Sequence, residues 1–366
     1  MKILHIASGD LWAGAEKQLY TLLLALRQSQ QCEVSAALLN PGTLADKLQA
    51  AGIAVKVLDE RQQNMVQLVR EVDQWTSREK PDVIHTHRLK ENIIGALVSA
   101  RQRIPCVRTQ HGANEHAFSA FNLRKKIIHG LDYLAARMMQ KKIIAVSEPL
   151  AVQLRSTYGS DRVCVIDNGL DLDEASPTPE NKFQHPLKIG IVGRLMPVKR
   201  VDLFLHAAQL VLQSQPADTL PEFKVVGDGP LRAELEVLVA DLGIADQVRF
   251  VGHVDNAEPL IAQLDVLVIC SDHEGLPMVA LEAMKHRTLV LTHRIGGLPR
   301  LLGDGQFGYL AERHDAESFA GAINDIISKK DAIAARAQLA QQQLTANYSA
   351  QAMAQRHIEL YRQIAV

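Results

Sequence analysis

The chain has 366 residues, more than a single hydrophobic core ordinarily serves, so two compact domains are expected. Forty basic residues against 41 acidic ones leave a formal charge of -1, which excludes any bulk attraction to nucleic acid or to an acidic surface. With 47% hydrophobic and 22% charged residues the composition is globular and excludes wholesale disorder.

The first strand is expected at Lys2 to Ala7, where MKILHIASGDLWAG turns to glycine and polar residues too soon for the apolar core of a signal peptide. No apolar run approaches the ~20 residues that a spanning helix requires. A cytoplasmic protein is the expectation, at most touching the inner face of a membrane. Cys32, Cys106, Cys164 and Cys270 are scattered, form no CxxC pair and sit in or beside apolar segments, so they read as buried thiols. Further short strands follow at Glu33 to Leu39, Ala54 to Leu58, Asp82 to Thr86, Cys106 to Gln110 and Lys142 to Val146. Stretches of helical period such as AEKQLYTLLLALRQ lie between them. This alternation predicts a parallel sheet wrapped on both faces, a Rossmann-like domain over residues 1–168.

From Asn168 the rhythm breaks into NGLDLDEASPTPENKFQHP, read as a linker over 169–186. It restarts with KIGIVGR at Lys188 and continues through EFKVVG, QVRFVG, DVLVICS and TLVLTH, which predicts a second Rossmann-like domain over 187–348. Residues 349–366 read as an amphipathic helix with Met353, His357, Leu360 and Ile364 on one stripe, expected to pack back on the first domain.

In open parallel sheets ligands collect beyond the carboxyl ends of the strands, which directs attention to three segments of the second domain. In GRLMPVK, Gly193 ends a strand and is followed by Arg194 and Lys199, two cations suited to a diphosphate or simply to solvent. In VVGDGPL, Gly227 and Gly229 flank Asp228, a place where backbone can approach a ligand and equally an ordinary turn. In SDHEGLPMVALEAMK, Glu274 precedes a helix expected to begin near Leu276, and Glu282 is the sole acid within its apolar stretch. A carboxylate in that position is costly unless it is paired or hydrogen-bonded, either to an internal partner that the sequence does not reveal or to a ligand. A helix starting at Leu276 would hold Glu282 roughly 9 Å beyond its first turn, from the rise per residue. The amides of Leu276, Met278 and Val279 would then offer unpaired donors to phosphate.

These segments together resemble the retaining glycosyltransferases of family four, whose α/β fold is GT-B, two Rossmann-like domains with parallel sheets facing across a cleft. The resemblance rests on E-x7-E at Glu274 and Glu282, GRL with Lys199, GDGP from Gly227, F-x-G at Phe250 to Gly252 and NG-x-D at Asn168 to Asp171. In the first domain it rests on WAGAE at Trp12 to Glu16, His87, QHG at Gln110 to Gly112 and AVS at Ala145 to Ser147. It implies transfer of a hexose-type sugar from a nucleoside-diphosphate sugar to a glycan or lipid-linked acceptor, in assembly of a surface polysaccharide such as lipopolysaccharide. No metal and no cofactor besides that donor substrate is expected. By the same resemblance Gly14 approaches the donor phosphates and His111 the transferred sugar, Arg194 and Lys199 hold the diphosphate, Glu282 the ribose and Glu274 the sugar hydroxyls. Backbone at His253 and Val254 meets the base, while Gly193, Gly227, Gly275, Leu276, Met278 and Val279 complete the donor site. Trp12 and His87 fall on the acceptor side. The catalytic set is His111, Arg194, Lys199 and Glu274.

Other patterns receive plainer readings. HTH at His85 to His87 has the alternate spacing of metal ligands but lacks a third one in sequence. DLD at Asp171 to Asp173 is read as a linker coincidence. The segment 121–142 carries six basic residues and one acid, with Ile127, Leu131, Leu134 and Met138 along a stripe. Peripheral contact with a membrane is one reading, and a solvated face over a core stripe is the favoured one. A nicotinamide-dependent dehydrogenase lacks its G-x-G-x-x-G fingerprint here. A sugar-nucleotide epimerase of the same architecture and a noncatalytic carbohydrate-binding protein remain as rivals.

Overall fold

The structure, a computed structural model, describes residues 1–10, 12–112, 123–172 and 182–365. It divides into two compact units, residues 1–171 with 349–366 and residues 172–348. Residues 173–181 of the expected linker, Asp173 of DLD among them, lie outside the described residues.

The first unit alternates β1 (Lys2–Ala7), α1 (Gly14–Gln28), β2 (Glu33–Leu38), α2 (Thr43–Ala50), β3 (Ala54–Val57), α3 (Met65–Glu79), β4 (Val83–Thr86), α4 (Leu89–Gln102), β5 (Cys106–Gln110), α5 (Leu123–Met138), β6 (Gln140–Ala145), α6 (Glu148–Tyr158) and β7 (Val163–Val165). Its seven strands lie in the order β3-β2-β1-β4-β5-β6-β7, with every pairing parallel. The chain reverses direction across the sheet between β1 and β4, and this switch point opens a crevice beyond their carboxyl ends.

The second unit contains β8 (Lys188–Val192), α7 (Val201–Ser214), β9 (Glu222–Val226), α8 (Arg232–Asp241), β10 (Val248–Gly252), α9 (Glu258–Gln263), β11 (Val266–Ile269), α10 (Met278–Lys285), β12 (Leu289–Thr292), α11 (Leu298–Leu301), β13 (Tyr309–Leu310), α12 (Ala316–Ser328) and α13 (Lys330–Asn347). Its sheet order β10-β9-β8-β11-β12-β13 puts the switch point between β8 and β11. VLVI of β11 and LVLT of β12 are buried throughout, because helices cover both faces of an all-parallel sheet. Phe204 and Phe223 meet edge to face in this core with centroids 5.8 Å apart.

After α13 the chain returns to the first unit as α14 (Ala350–Ile364), which begins where the Ser349 hydroxyl caps the Ala352 amide at 3.1 Å. Met353, Ile358, Leu360 and Tyr361 pack with Ile3, Leu22 and Leu26, and Ala350 N–H donates to the Leu170 carbonyl at 2.9 Å. Gly169 of the NG-x-D segment makes this crossing possible, since a Cβ there would stand 2.6 Å from the Ser349 carbonyl oxygen.

The expected core stripe of α5 is instead exposed: Leu131 and Leu134 are each 48% and Met138 68% accessible. Residues 121 and 122 and the side chain of Ile127 lie outside the described residues. The helix buries Asp132, Ala135 and Ala136 instead. Arg108 of β5, 1% exposed, needs a counterion, and Asp132 supplies it through two contacts of 2.9 and 3.0 Å. Satisfying that buried cation outweighs hiding the leucines, because an unpaired charge in the interior is the costlier defect. Among the described residues no helix is long and apolar enough to cross a membrane.

Candidate functional site

In the second unit the segments following β8, β9 and β10 run side by side. Gly193 N–H donates to the Val226 carbonyl at 2.9 Å, Leu195 N–H to that of Asp228 at 3.0 Å and Gly227 N–H to that of Gly252 at 2.9 Å. The approach demands glycine: Gly227 has φ +137°, and a Cβ there would overlap the Gly193 carbonyl oxygen. Gly229 is held likewise, with a Cβ falling 2.5 Å from the Leu195 carbonyl oxygen. Gly193, Gly227 and the exposed His253 therefore follow three adjacent strands, while Val254 comes two residues after the edge strand β10.

Across the switch point, Asp272 N–H donates to the Val198 carbonyl at 2.8 Å, tying the turn after β11 to the turn after β8. Arg200 strengthens the tie by holding Asp202 at 3.0 Å and Asp272 at 3.3 Å. The central contact is an ion pair of 2.7 Å between Lys199 Nζ and Glu274 Oε1, whose side chains are 32% and 10% exposed. Both line one hollow with Gly193, Leu195, Ser271 and Val279. A partly exposed ammonium and a largely buried carboxylate at one strand-end hollow can receive an anion and hydroxyl groups together.

Arg194 and Glu282 lie outside that lining. Arg194 is exposed, and Glu282 is buried on α10. The helix starts at Met278 with Pro277 as its N-cap, two residues later than the sequence reading places it. Met278 and Val279 thus keep helix-start amides, Leu276 precedes the helix, and Glu282 stands roughly 6 Å along the axis from Met278 rather than 9 Å. Sequence reasoning missed Gly296 and Gly297, which brace the Glu274–Gly275 turn. Gly297 N–H donates to the Gly275 carbonyl at 2.6 Å, and a Cβ on Gly296, at φ +52°, would collide with the Glu274 carbonyl oxygen. The doubled glycine shortly after β12 was the available signal.

In the first unit the switch point brings the start of α1 and the end of β4 into play. Gly14 opens α1, and a Cβ there would meet nothing within 4 Å, so internal packing does not call for glycine. Trp12 packs edge to face on Tyr20 at 5.9 Å, with Lys47 Nζ over its ring at 5.2 Å. Glu16 is buried and pairs with Arg88; burial raises its carboxyl from the usual value against the pull of that guanidinium. His87 is buried beyond β4, its Nδ1 3.3 Å from Nε2 of His111. The missing third histidine of the HTH motif is supplied by β1, where His5 joins His85 and His87 with ligand atoms all within 4.8 Å. His85 is already engaged at both nitrogens, by the Tyr361 hydroxyl at 2.6 Å and by Thr109 Oγ1 at 2.8 Å. Burial and the neighbouring imidazoles hold His85 well below the usual histidine value.

Comparison with known proteins gives these features a family. The model of the glycosyl transferases group 1 matches residues 186–329, and that of glycosyltransferase family 4 matches residues 12–174. The chain is 31% identical to a D-inositol 3-phosphate glycosyltransferase of Geodermatophilus obscurus over 70% of its own length and 61% of that protein's. It is 27% identical to the UDP-Gal:alpha-D-GlcNAc-diphosphoundecaprenol alpha-1,3-galactosyltransferase of Escherichia coli over 69% and 68% of the two chains. The match thus spans less than two thirds of the first relative. Among solved structures, Anabaena HepE in complex with UDP-glucose superimposes with a TM-score of 0.83 at 24% identity, covering 99% of this chain and 100% of that one. The apo lipopolysaccharide outer core galactosyltransferase WaaB does so with a TM-score of 0.70 at 17% identity, covering 99% and 100%. Two Rossmann-like units, each matched by its own family model, make this chain a member of the family-four, group 1 glycosyltransferases of GT-B fold.

Proposed function

We propose that the chain transfers a hexose-type sugar from a nucleoside-diphosphate sugar to a glycan or lipid-linked glycan acceptor, with retention of anomeric configuration and without a metal, in the assembly of a surface polysaccharide. The observation that carries the reading is the Lys199–Glu274 pair at the β8/β11 switch point. On binding, the diphosphate takes Lys199 and the sugar hydroxyls take Glu274, so each partner exchanges an internal contact for one with donor. Arg194, exposed in the same turn, closes on the phosphates, and the Met278 and Val279 amides add partial positive charge. As the bond from the anomeric carbon to the phosphate oxygen breaks, charge gathers on the departing diphosphate where these groups already stand. The acceptor hydroxyl attacks from that same face and passes its proton to the leaving phosphate oxygen.

Gly227, His253 and Val254 form a backbone rim for the base. Complexes of HepE with UDP and with UDP-glucose make a uridine diphosphate sugar the first donor to test. Glu282 reaches the ribose, Gly14 the phosphates and His111 the sugar, while Trp12 serves the acceptor; His87, expected on that side, is buried with both nitrogens engaged by His5 and His111. The exposed Leu131, Leu134 and Met138 beside Arg137 suit peripheral contact with a membrane carrying a lipid-linked acceptor.

The test is Lys199→Ala. Its far-UV circular dichroism should match the parent, and nucleoside diphosphate released from UDP-glucose in the presence of acceptor should fall roughly 10²-fold, as when one fixed electrostatic donor is lost. Undiminished transfer by that variant would refute the phosphate clamp.

A further inference from the structure

Three histidines of the first unit stand in a hydrogen-bonded file. The parallel register sets His5 of β1 beside His85 of β4, and period-two alternation brings His87 to the same sheet face. His5 Nδ1 lies 3.0 Å from His87 Nε2, and His87 Nδ1 lies 3.3 Å from His111 Nε2. The rings overlap in sequence, His5 on His87 with centroids 5.3 Å apart and His87 on His111 at 5.5 Å.

A neutral imidazole carries one donor and one acceptor nitrogen, so a file of three such rings can run in only two senses. Burial is the main cause keeping all three neutral: it lowers His5 to about 3 and His111 to about 4, and holds His87 well below its ordinary value. In one sense the protons point inward, and the last falls on His5 Nε2. In the other they point outward, and the last falls on His111 Nδ1. His5 Nε2 is buried and has no partner among the described residues. An unmet N–H there forfeits its hydration entirely, whereas an unmet lone pair is the more tolerable orphan. His111 is half-buried and its Nδ1 has no partner among the described residues, so a proton on that atom can be met from outside.

We propose that His5 and His87 are positioning residues, a one-way file of hydrogen bonds that locks His111 in its Nδ1–H form, so that His111 presents a donor and not a base at its free edge. The partner for that edge is an oxygen acceptor such as a sugar hydroxyl, which rests on the reading of His111 given above. A metal at His5, His85 and His87 is the competing use of these rings. It would have to take one nitrogen of His87 from His5 or from His111 and displace Tyr361 or Thr109 from His85.

The experiment is a long-range proton–nitrogen correlation spectrum of the full chain, without ligand, labelled with nitrogen-15 in histidine and recorded at pH 7. The His111 resonances are identified by their loss in His111→Gln. The proposal expects a protonated Nδ1 and a bare Nε2 at His111 in the parent protein. In His87→Phe, which keeps an aromatic ring but ends the file, the proton should redistribute toward Nε2, and kcat should fall roughly tenfold to hundredfold with less change in the donor KM. A bare Nδ1 at His111 in the parent protein, protonation of both nitrogens at pH 7, or a stoichiometric metal retained after purification would each overturn it. The parent spectrum decides the matter even if His87→Phe fails to fold. If His111→Gln transfers sugar undiminished while the parent shows Nδ1–H, the file stands and the sugar contact falls.

Discussion

Gly227→Ala concentrates the cost of building the donor turn into one methyl group. At φ +137° an L side chain is strained by about 1–2 kcal/mol. The new Cβ would also overlap the Gly193 carbonyl oxygen and lie 2.9 Å from its carbon. Neither strand end can retreat freely, because Gly193 N–H is bonded to Val226 and Gly227 N–H to Gly252, each at 2.9 Å. Forcing extra volume into a packed site costs about 1–3 kcal/mol, so the sum is about 2–5 kcal/mol. At ~2–4 °C per kcal/mol for a unit of this size, the melting temperature of the second unit should drop by at least several degrees. Gly243→Ala is the control, since its φ of +69° brings strain while a Cβ meets nothing within 4 Å. Both tryptophans, Trp12 and Trp75, belong to the first unit. Urea denaturation followed by tryptophan emission and by circular dichroism should therefore separate the transitions in Gly227→Ala. A variant no less stable than Gly243→Ala would show that the close approach of the two turns is wrong.

Other expectations follow from the same contacts. Arg108→Met strands Asp132 in the interior and should cost about 3–5 kcal/mol in urea denaturation, much of it recovered when Asp132→Leu is added. Acidification should destabilise the fold between pH 6.5 and about 4. Over that window the unfolded chain takes up protons that buried His5, lowered to about 3, and His357, lowered to about 4, do not. Their contribution is complete above pH 6.5 and fades as pH falls, each by up to ~1.4 kcal/mol per unit. Glu91 acts oppositely: burial raises it to about 7, so its contribution is full below 4.5 and lost as pH rises through 7. Urea midpoints at pH 7.5 and 5.5 should favour the higher pH, and a higher midpoint at 5.5 would contradict the dominance of the histidines. Leu134→Glu with Met138→Glu should weaken cosedimentation with vesicles containing anionic lipid while leaving transfer to a soluble acceptor unchanged; equal sedimentation would remove α5 as the contact.

Strands were legible because their apolar runs are short and sharply bounded. Lys2 to Ala7 and Cys106 to Gln110 are observed as read, and Gln140 to Ala145 begins two residues earlier than expected. The start of α10 was less legible, since a proline suits both the first helical position and the residue before it. His5 went unnoticed because KILHIA reads as one apolar strand, and only the pairing of β1 with β4 brings it to His85 and His87. The stripe on α5 misled for a different reason. Helical spacing reveals that residues share a face, and the partner Arg108, distant in sequence, decides which face is buried. The segments bearing Lys199 and Glu274 were found by the rule that ligands gather at strand ends, but their 2.7 Å pairing needed the fold.

The central claim is that the second unit holds a nucleoside diphosphate through Lys199, and thermal unfolding with and without UDP tests it most directly. At a ligand concentration ~100 times Kd the parent should gain about 2.7 kcal/mol, a rise of several degrees, and Lys199→Ala should lose most of that gain. Equal stabilisation of parent and variant, or none of either by any nucleoside diphosphate, would contradict the account.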